Sequence, residues 1–209
     1  MVDFHCVLTH PSSLVVAIAA CGAFGSASAQ APAASRIRGE IVSVSGNVLL
    51  VHRVNADNVT VDLTPDAQVS AMKNVKLSDI KAGSYVGATS VPGPDGKLVA
   101  REVHVFPEAF RGRGDGHRDW DLVPGSSMTN ANVDTVVQAS NGRELTMSYQ
   151  GGSKVIVVPD NTPVVTYIEA TRSDVVAGRK VFIVASMTSP GHYSAGRITV
   201  EKDGVAPPM

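Results

Sequence analysis

The chain has almost no cysteine: its 209 residues include 2, Cys6 and Cys21. Both precede Gln30, so the rest of the chain has no thiol for a disulfide framework or for nucleophilic catalysis. Aromatic residues make up 5% of the chain, and the formal net charge is −1. Without aromatic platforms or a basic track, the sequence argues against a nucleic-acid partner.

Long apolar runs are also scarce, and the main one extends from Leu14 to Phe24. It is too short to cross a hydrocarbon core of ~30 Å as a helix, but it is typical of the core of a signal peptide. Ala27-Ser28-Ala29 follows with the small side chains that signal peptidase accepts, although the region before the run holds Asp3 and no Lys or Arg. We therefore predict a signal peptide over 1–29, export to the periplasm and a disordered segment over 30–35.

The same region has a second interpretation. Ile18-Ala19-Ala20-Cys21 resembles the lipobox of bacterial lipoproteins, in which the cysteine is acylated and becomes the first mature residue. The distance from the apolar run to Ala29 favours the soluble form, and lipid anchoring through Cys21 is the alternative. Neither form leaves a membrane span in the mature chain.

Valine, glycine and threonine are plentiful, which favours strands and turns over helices. Several segments alternate between apolar and polar residues, as in Val59-Thr60-Val61-Asp62-Leu63, a pattern typical of a sheet with one face in water. Turn residues separate these segments, and short strands at this spacing predict small barrels. The predicted strands are 36–44, 48–53, 59–63, 69–72, 84–90, 98–105, 132–137, 144–149, 154–158, 164–167, 180–187 and 195–201.

An internal repeat is the strongest pattern in the sequence. The block Ser78–Val86 recurs as Ser173–Val181, a shift of 173 − 78 = 95 positions, and Ala100–Val105 aligns with Ala195–Val200 at the same shift. We therefore expect an all-β chain of two tandem small, OB-like β-barrel repeats joined by an ordered linker. The predicted boundaries are repeat 1 over 36–106, the linker over 107–127, repeat 2 over 128–202 and a tail over 203–209.

The repeated Ser-Asp-x-x-Ala-Gly block predicts one helical turn that closes a barrel end. Ser78 and Ser173 are expected to cap this turn, and Gly83 and Gly178 to end it with positive φ. These four residues are therefore assigned a structural role.

The linker holds the densest group of functional side chains. His117, Arg118, Trp120 and Asp121 are the candidate ligand or interface residues, and Trp120 is expected to be buried against the barrels. Four residues of the linker carry oxygen or nitrogen atoms that could bind a metal ion: Asp115, His117, Asp119 and Asp121. Because their spacing matches neither an EF-hand nor a zinc motif, we predict no metal and no cofactor.

No catalytic motif is present in the sequence. His52 and His104 occur in strands where alternation places them on the wet face, and the serines lack a neighbouring base. The sequence therefore predicts a protein that is not an enzyme.

Four segments together resemble a family of exported bacterial proteins that carry small β-barrel repeats and have no known function. They are Gly39–Val44, Leu77–Gly83, Gly116–Asn130 and Lys202–Met209. Relatives of this kind are often labelled metal ABC transporter permease. A permease requires several apolar spans of about 20 residues, and the mature chain has none, so the label does not predict transport.

Three functions follow from the sequence as hypotheses. The leading one is a non-catalytic periplasmic binding or structural module of unknown ligand, with an envelope protein as a candidate partner. The second is an OB-like module that binds oligosaccharides or oligonucleotides. The third is a metal-linked accessory protein of a transport system.

Overall fold

The computed structural model describes residues 1–2, 34–54, 56–93, 95–140 and 142–208, which contain twelve β-strands, three 3-10 turns and no α-helix. The all-β prediction is thus confirmed. Both cysteines, the predicted cleavage site and nearly all of the predicted signal peptide lie outside these residues.

The strands follow one another with short connections. They are β1 (Ser35–Ser45), β2 (Val48–Arg53), β3 (Asn58–Asn74), β4 (Tyr85–Pro92), β5 (Leu98–Val105), β6 (Gly116–Asp119), β7 (Ser127–Ala139), β8 (Gly142–Tyr149), β9 (Gly152–Pro159), β10 (Val164–Glu169), β11 (Lys180–Ser189) and β12 (His192–Val200). The 3-10 turns are Leu77–Asp79, Glu108–Phe110 and Arg172–Asp174.

One strand is longer than the sequence predicts. The segments 59–63 and 69–72 form the single strand β3, which runs through Pro65. The pairing of β3 with β2 reaches Asp62, and its pairing with β12 skips from Leu63 to Gln68. Proline has no backbone N–H to donate, so Pro65 is tolerated at a position where the ladder is interrupted.

Five strands close into a barrel in the order β1-β2-β3-β12-β11, with β11 pairing back onto β1. All contacts are antiparallel except that between β3 and β12, which is parallel. Inward-facing apolar residues fill its core: Ile37, Ile41, Leu49, Val51, Val59, Val61, Leu63, Val175, Val181, Ile183, Ala185, Tyr193, Ala195, Ile198 and Val200.

Five of the seven remaining strands form a second circuit, β4-β5-β9-β8-β7, hereafter the second ring. It closes through two parallel residue pairs, Leu98 with Ile156 and Val99 with Val157. Its core consists of Ile80, Val86, Ala88, Ala100, Val103, Ala131, Val133, Leu145, Met147, Ile156, Val158 and Val164. Strand β10 joins the two parts, because it pairs with β3 on one side and β5 on the other.

The strand pairing differs from the expectation of one barrel within 36–106 and another within 128–202. The barrel combines β1, β2 and β3 from the first half of the chain with β11 and β12 from the second. The second ring combines β4 and β5 with β7, β8 and β9. The alternation of apolar and polar residues determines which side chains of a strand face inward, but it does not determine which strand lies next to it. The similar hairpins β4–β5 and β11–β12 are therefore each compatible with both rings.

The repeated turns differ in part from the prediction. Gly83 and Gly178 have φ of 86° and 83°. The turns are capped by Asp79 and Asp174 rather than by Ser78 and Ser173: the two carboxylates accept the backbone N–H of Lys76 at 3.0 Å and of Thr171 at 2.8 Å. A carboxylate at the end of a short turn can accept a hydrogen bond from the backbone N–H that precedes the turn. Its negative charge also interacts favourably with the partial positive charge at the N-terminal end of the turn.

The segment 107–127 has regular structure. It contains the 3-10 turn Glu108–Phe110 and strand β6, which pairs antiparallel with β7. The C-terminal tail also folds back, because Lys202 and Val205 bond to each other around Asp203 and Gly204. Val205 packs against the cluster of Met72, Val165 and Phe182.

Candidate functional site

A cleft of about 840 Å³ lies between the barrel and the second ring. Its floor is the outward face of β4, β5 and β7, and its far wall comes from β3, β10, β11 and β12. The segment 106–120 supplies the remaining side. Ligand sites of this size commonly form where two packed units meet.

The floor owes its shape to strand register and to one glycine. Gly87 pairs with His104 on one side and with Asn130 on the other, so the three residues form a row across the sheet. A Cβ atom at Gly87 would lie 2.7 Å from Asn130 Oδ1 and 2.9 Å from Phe106. Glycine therefore allows these two side chains to approach the floor.

The floor contains two buried polar side chains, His104 and Asn130, which are 2% and 6% exposed, and Glu102, 1% exposed, lies next to His104 without lining the cleft. Thr89 donates to Glu102 Oε1 at 2.8 Å, and Asn130 Nδ2 donates to the carbonyl of Arg113 at 3.0 Å. One atom of each of these three side chains finds no hydrogen-bond partner within the described part of the chain: Glu102 Oε2, His104 Nε2 and Asn130 Oδ1. His104 Nε2 lies 3.5 Å from Glu102 Oε1, within ion-pair range but without hydrogen-bond geometry.

The prediction that His104 lies on a wet face is therefore wrong. Strand β5 is covered on both faces, because Val103 points into the second ring while the side chain of Tyr167, from the neighbouring strand β10, covers His104 on the outward side. The ring centroids of His104 and Tyr167 are 6.0 Å apart. His52, in contrast, is exposed.

Aromatic rings form the centre of the cleft wall. Phe106 stacks on Tyr167 with centroids 5.7 Å apart, and Phe110 meets the same ring edge-on at 5.6 Å. Burial, followed by the charge of Glu102, raises the pKa of Tyr167 to about 12, against the opposing charges of Arg113 and Arg197. The phenol therefore stays protonated at neutral pH and is available as a donor.

Three arginines line the cleft. The guanidinium of Arg113 lies 3.7 Å from the ring centroid of Phe110. Arg118 donates to the carbonyl of Gly114 at 2.6 Å, and Arg197 projects from β12. Burial, and then the charge of Arg36, lowers the pKa of Arg118.

Trp120 is half-buried at the end of the cleft, where it packs against the cluster of Met72, Val165 and Phe182. Arg36 lies 3.9 Å from its ring centroid, a cation–π distance. The indole Nε1 is buried and finds no hydrogen-bond partner among the described residues.

Asp121 fixes the arginines next to this tryptophan. Its carboxylate accepts from Arg38 at 2.8 Å and lies 3.6 Å from Arg36. Burial raises the pKa of Asp121, but the hydrogen bond from Arg38 and the charges of both arginines outweigh it and lower the pKa overall. Asp121 thus forms ion pairs beside the cleft and is not one of its lining residues.

Among the other residues singled out by sequence, His117 faces a smaller cavity of about 500 Å³ with Asp119 and Trp120. Its Nδ1 lies 2.8 Å from Thr129 Oγ1, and burial, then the charge of Lys154, lowers the pKa of His117. Asp115 accepts hydrogen bonds from Tyr85 and from the backbone of Gln150. Among the described residues no group of three or more His, Cys, Asp or Glu side chains is placed to hold a metal ion.

The structure thus brings Arg118 and Trp120 into one site with residues that the sequence analysis missed. His104, Asn130 and Tyr167 are far apart in the chain and belong to no catalytic or ligand-binding motif. One signal was available: Glu102 and His104 interrupt a strand that is otherwise largely apolar.

The comparisons with known proteins add no relative: no protein family, curated protein or solved structure matches the chain. Among the residues that the structure describes, no helix has the length and apolar character required to cross a membrane.

Proposed function

We propose that the chain is an exported, non-catalytic binding module whose small-molecule ligand occupies the cleft. The observation that carries this proposal is a pair of buried atoms on the floor, His104 Nε2 and Asn130 Oδ1, that find no hydrogen-bond partner among the described residues. Native proteins pair nearly all buried polar atoms, and each unpaired one costs about 1–3 kcal/mol. Two such atoms on the floor of one cleft favour a site whose partners are supplied by a ligand.

The polar groups of the cleft support binding over catalysis. A histidine next to a carboxylate acts as a base only with a nucleophile or a substrate proton within reach. The hydroxyls of Ser70 and Thr199 on the opposite wall lie 3.1 Å from each other, and Ser70 donates to the carbonyl of Ile198. Neither hydroxyl is paired with His104.

A thermal-unfolding screen against small molecules, glycans and short oligonucleotides tests the proposal. We expect a small molecule to raise the unfolding temperature of the chain and of its His192→Gln variant, because His192 is exposed and away from the cleft. The same compound should not stabilise the His104→Gln variant. Stabilisation by a glycan or an oligonucleotide would favour the OB-like alternative, and equal stabilisation of both variants would place the ligand elsewhere.

Export is part of the proposal and has its own test. Mass spectrometry of the periplasmic protein should find Gln30 at the N-terminus, as cleavage after Ala29 requires. An acylated Cys21 would contradict the soluble form and support a lipid-anchored one.

We also propose that the two halves are copies of one repeat that have exchanged their last two strands. In support, Leu77–Asp79 precedes β4 as Arg172–Asp174 precedes β11, and each turn ends in a glycine with positive φ. The parallel contact of β3 with β12 has its counterpart in that of β9 with β5. Exchange of an identical element is a known route by which two copies become joined.

A further inference from the structure

Positively charged side chains outnumber negatively charged ones among the described residues that line the cleft. Arg113, Arg118 and Arg197 line it, and Glu169 is the one carboxylate among the lining residues that the structure describes. None of the four takes part in an ion pair within the described ranges. The two arginines beside Trp120 differ in this respect, since Arg36 and Arg38 share Asp121.

The arginines are held by the protein but keep donors available. Arg113 rests on Phe110 at 3.7 Å, and one nitrogen of Arg118 donates to Gly114. A guanidinium has five N–H donors, so most of those on both residues remain for a ligand. The burial that lowers the pKa of Arg118 also means that an anion there would meet an incompletely solvated charge.

The rest of the wall is largely apolar and aromatic. Phe106 and Tyr167 are stacked with an interplanar angle of 18°, Phe110 meets Tyr167 at 64°, and Phe182 lies on the barrel side. A further ring can join such a cluster by offset stacking or by an edge-to-face contact. At the floor, Asn130 Oδ1 is an acceptor that receives no hydrogen bond from the residues that the structure describes.

We infer, on the basis of the proposed function, that the ligand is an organic anion: a flat body of one or two rings with a carboxylate or phosphate at one end and a hydroxyl or amino group at the other. The acidic group binds the arginines, the rings stack on the aromatic wall, and the hydroxyl or amino group donates to Asn130. A cleft of about 840 Å³ accommodates a molecule of this size.

Calorimetric titration of the full-length chain tests the inference with four probes. These are hydroxynaphthoate, naphthyl phosphate, the neutral carboxamide of the first and its cationic aminomethyl analogue. We expect hydroxynaphthoate or naphthyl phosphate to bind at least tenfold more tightly than the carboxamide and the amine, and the tighter of the two identifies the acidic group.

Variants locate the binding. The double variant Arg113→Gln/Arg197→Gln changes two exposed side chains and should weaken binding of the anionic probe at least tenfold, whereas Arg101→Gln, an exposed arginine of β5 away from the cleft, should leave it unchanged. Unchanged unfolding temperatures in both variants show that folding is not the cause.

Tighter binding of the carboxamide or the amine would overturn the inference while leaving the cleft a binding site. Failure of both anions to bind would overturn it as well. If the broad screen described above also finds no compound that depends on His104, the proposed function itself fails.

Discussion

The exchange of strands between the two halves predicts that the chain remains one folded complex after its backbone is cut between them. A short protease recognition sequence inserted between Pro124 and Gly125 provides the cut, because both residues are exposed. Below this tip the backbone N–H of Trp120 donates to the carbonyl of Ser126 at 2.8 Å, so the insertion leaves the base of the loop intact. After cleavage, β1 to β6 lie on one fragment and β7 to β12 on the other.

The core of the barrel shows why the fragments should remain together. The second fragment supplies five large side chains to that core from β11 and β12: Val181, Ile183, Tyr193, Ile198 and Val200. Full burial of each contributes about 1.5–3 kcal/mol, so together they contribute roughly 7.5–15 kcal/mol before the entropy of association. A micromolar complex requires about 8 kcal/mol. The second ring also contains strands of both fragments, so burial of its core adds to the free energy that holds them together.

Size-exclusion chromatography at micromolar concentration is the assay. The cut chain should elute as one peak at the position of the uncut insertion variant, and a denaturing gel should show two fragments. Its unfolding temperature should rise with protein concentration, because folding has become bimolecular. Two separate peaks, each folded by itself, would refute the exchanged pairing.

Two further predictions concern single side chains. Gly83→Ala and Gly178→Ala should each lower the free energy of unfolding by about 1–2 kcal/mol in urea, because alanine resists positive φ even though no atom lies within 4 Å of the new Cβ. Gly196→Ala, where φ is not positive, should be nearly neutral, and equal effects at the three sites would contradict this reasoning. Asp121→Asn should cost less than about 1 kcal/mol at neutral pH because its carboxylate is partly exposed. The pKa of Asp121 is lowered in the folded state, so the stability that its carboxylate contributes is present above the unfolded-state pKa of about 3.9 and is lost as pH falls through the folded-state pKa. A difference in stability between the wild type and Asp121→Asn that persists in acid would contradict this reasoning.

Much of the secondary structure could be predicted, because alternation and turn residues act locally. Strands β2 and β5 have the predicted bounds, Val48–Arg53 and Leu98–Val105. Strand β6 was missed since it is short, charged and stabilised by its pairing with β7. The choice of partner strand was not predictable, because the inward faces of β4 and β11 are both lined by small and β-branched residues.

The candidate site was predictable only in part. Trp120 and Arg118 stand out by composition in the linker, and both line the cleft. His104 and Asn130 did not stand out, because alternation assumes that one face of a strand meets water. Packing of Tyr167 and of the segment after β5 against that face is a tertiary effect, and it converts ordinary polar positions into buried ones.

The most direct measurement of the central claim is the NMR resonance of the Trp120 indole N–H. The chain has one tryptophan, so this signal is unique, and Nε1 is buried at the cleft without a partner among the described residues. A compound that stabilises the chain should shift the indole resonance during titration, to the same degree in the His192→Gln variant and far less in the His104→Gln variant. A stabilising compound that leaves this resonance unmoved would contradict the assignment of the cleft as the binding site.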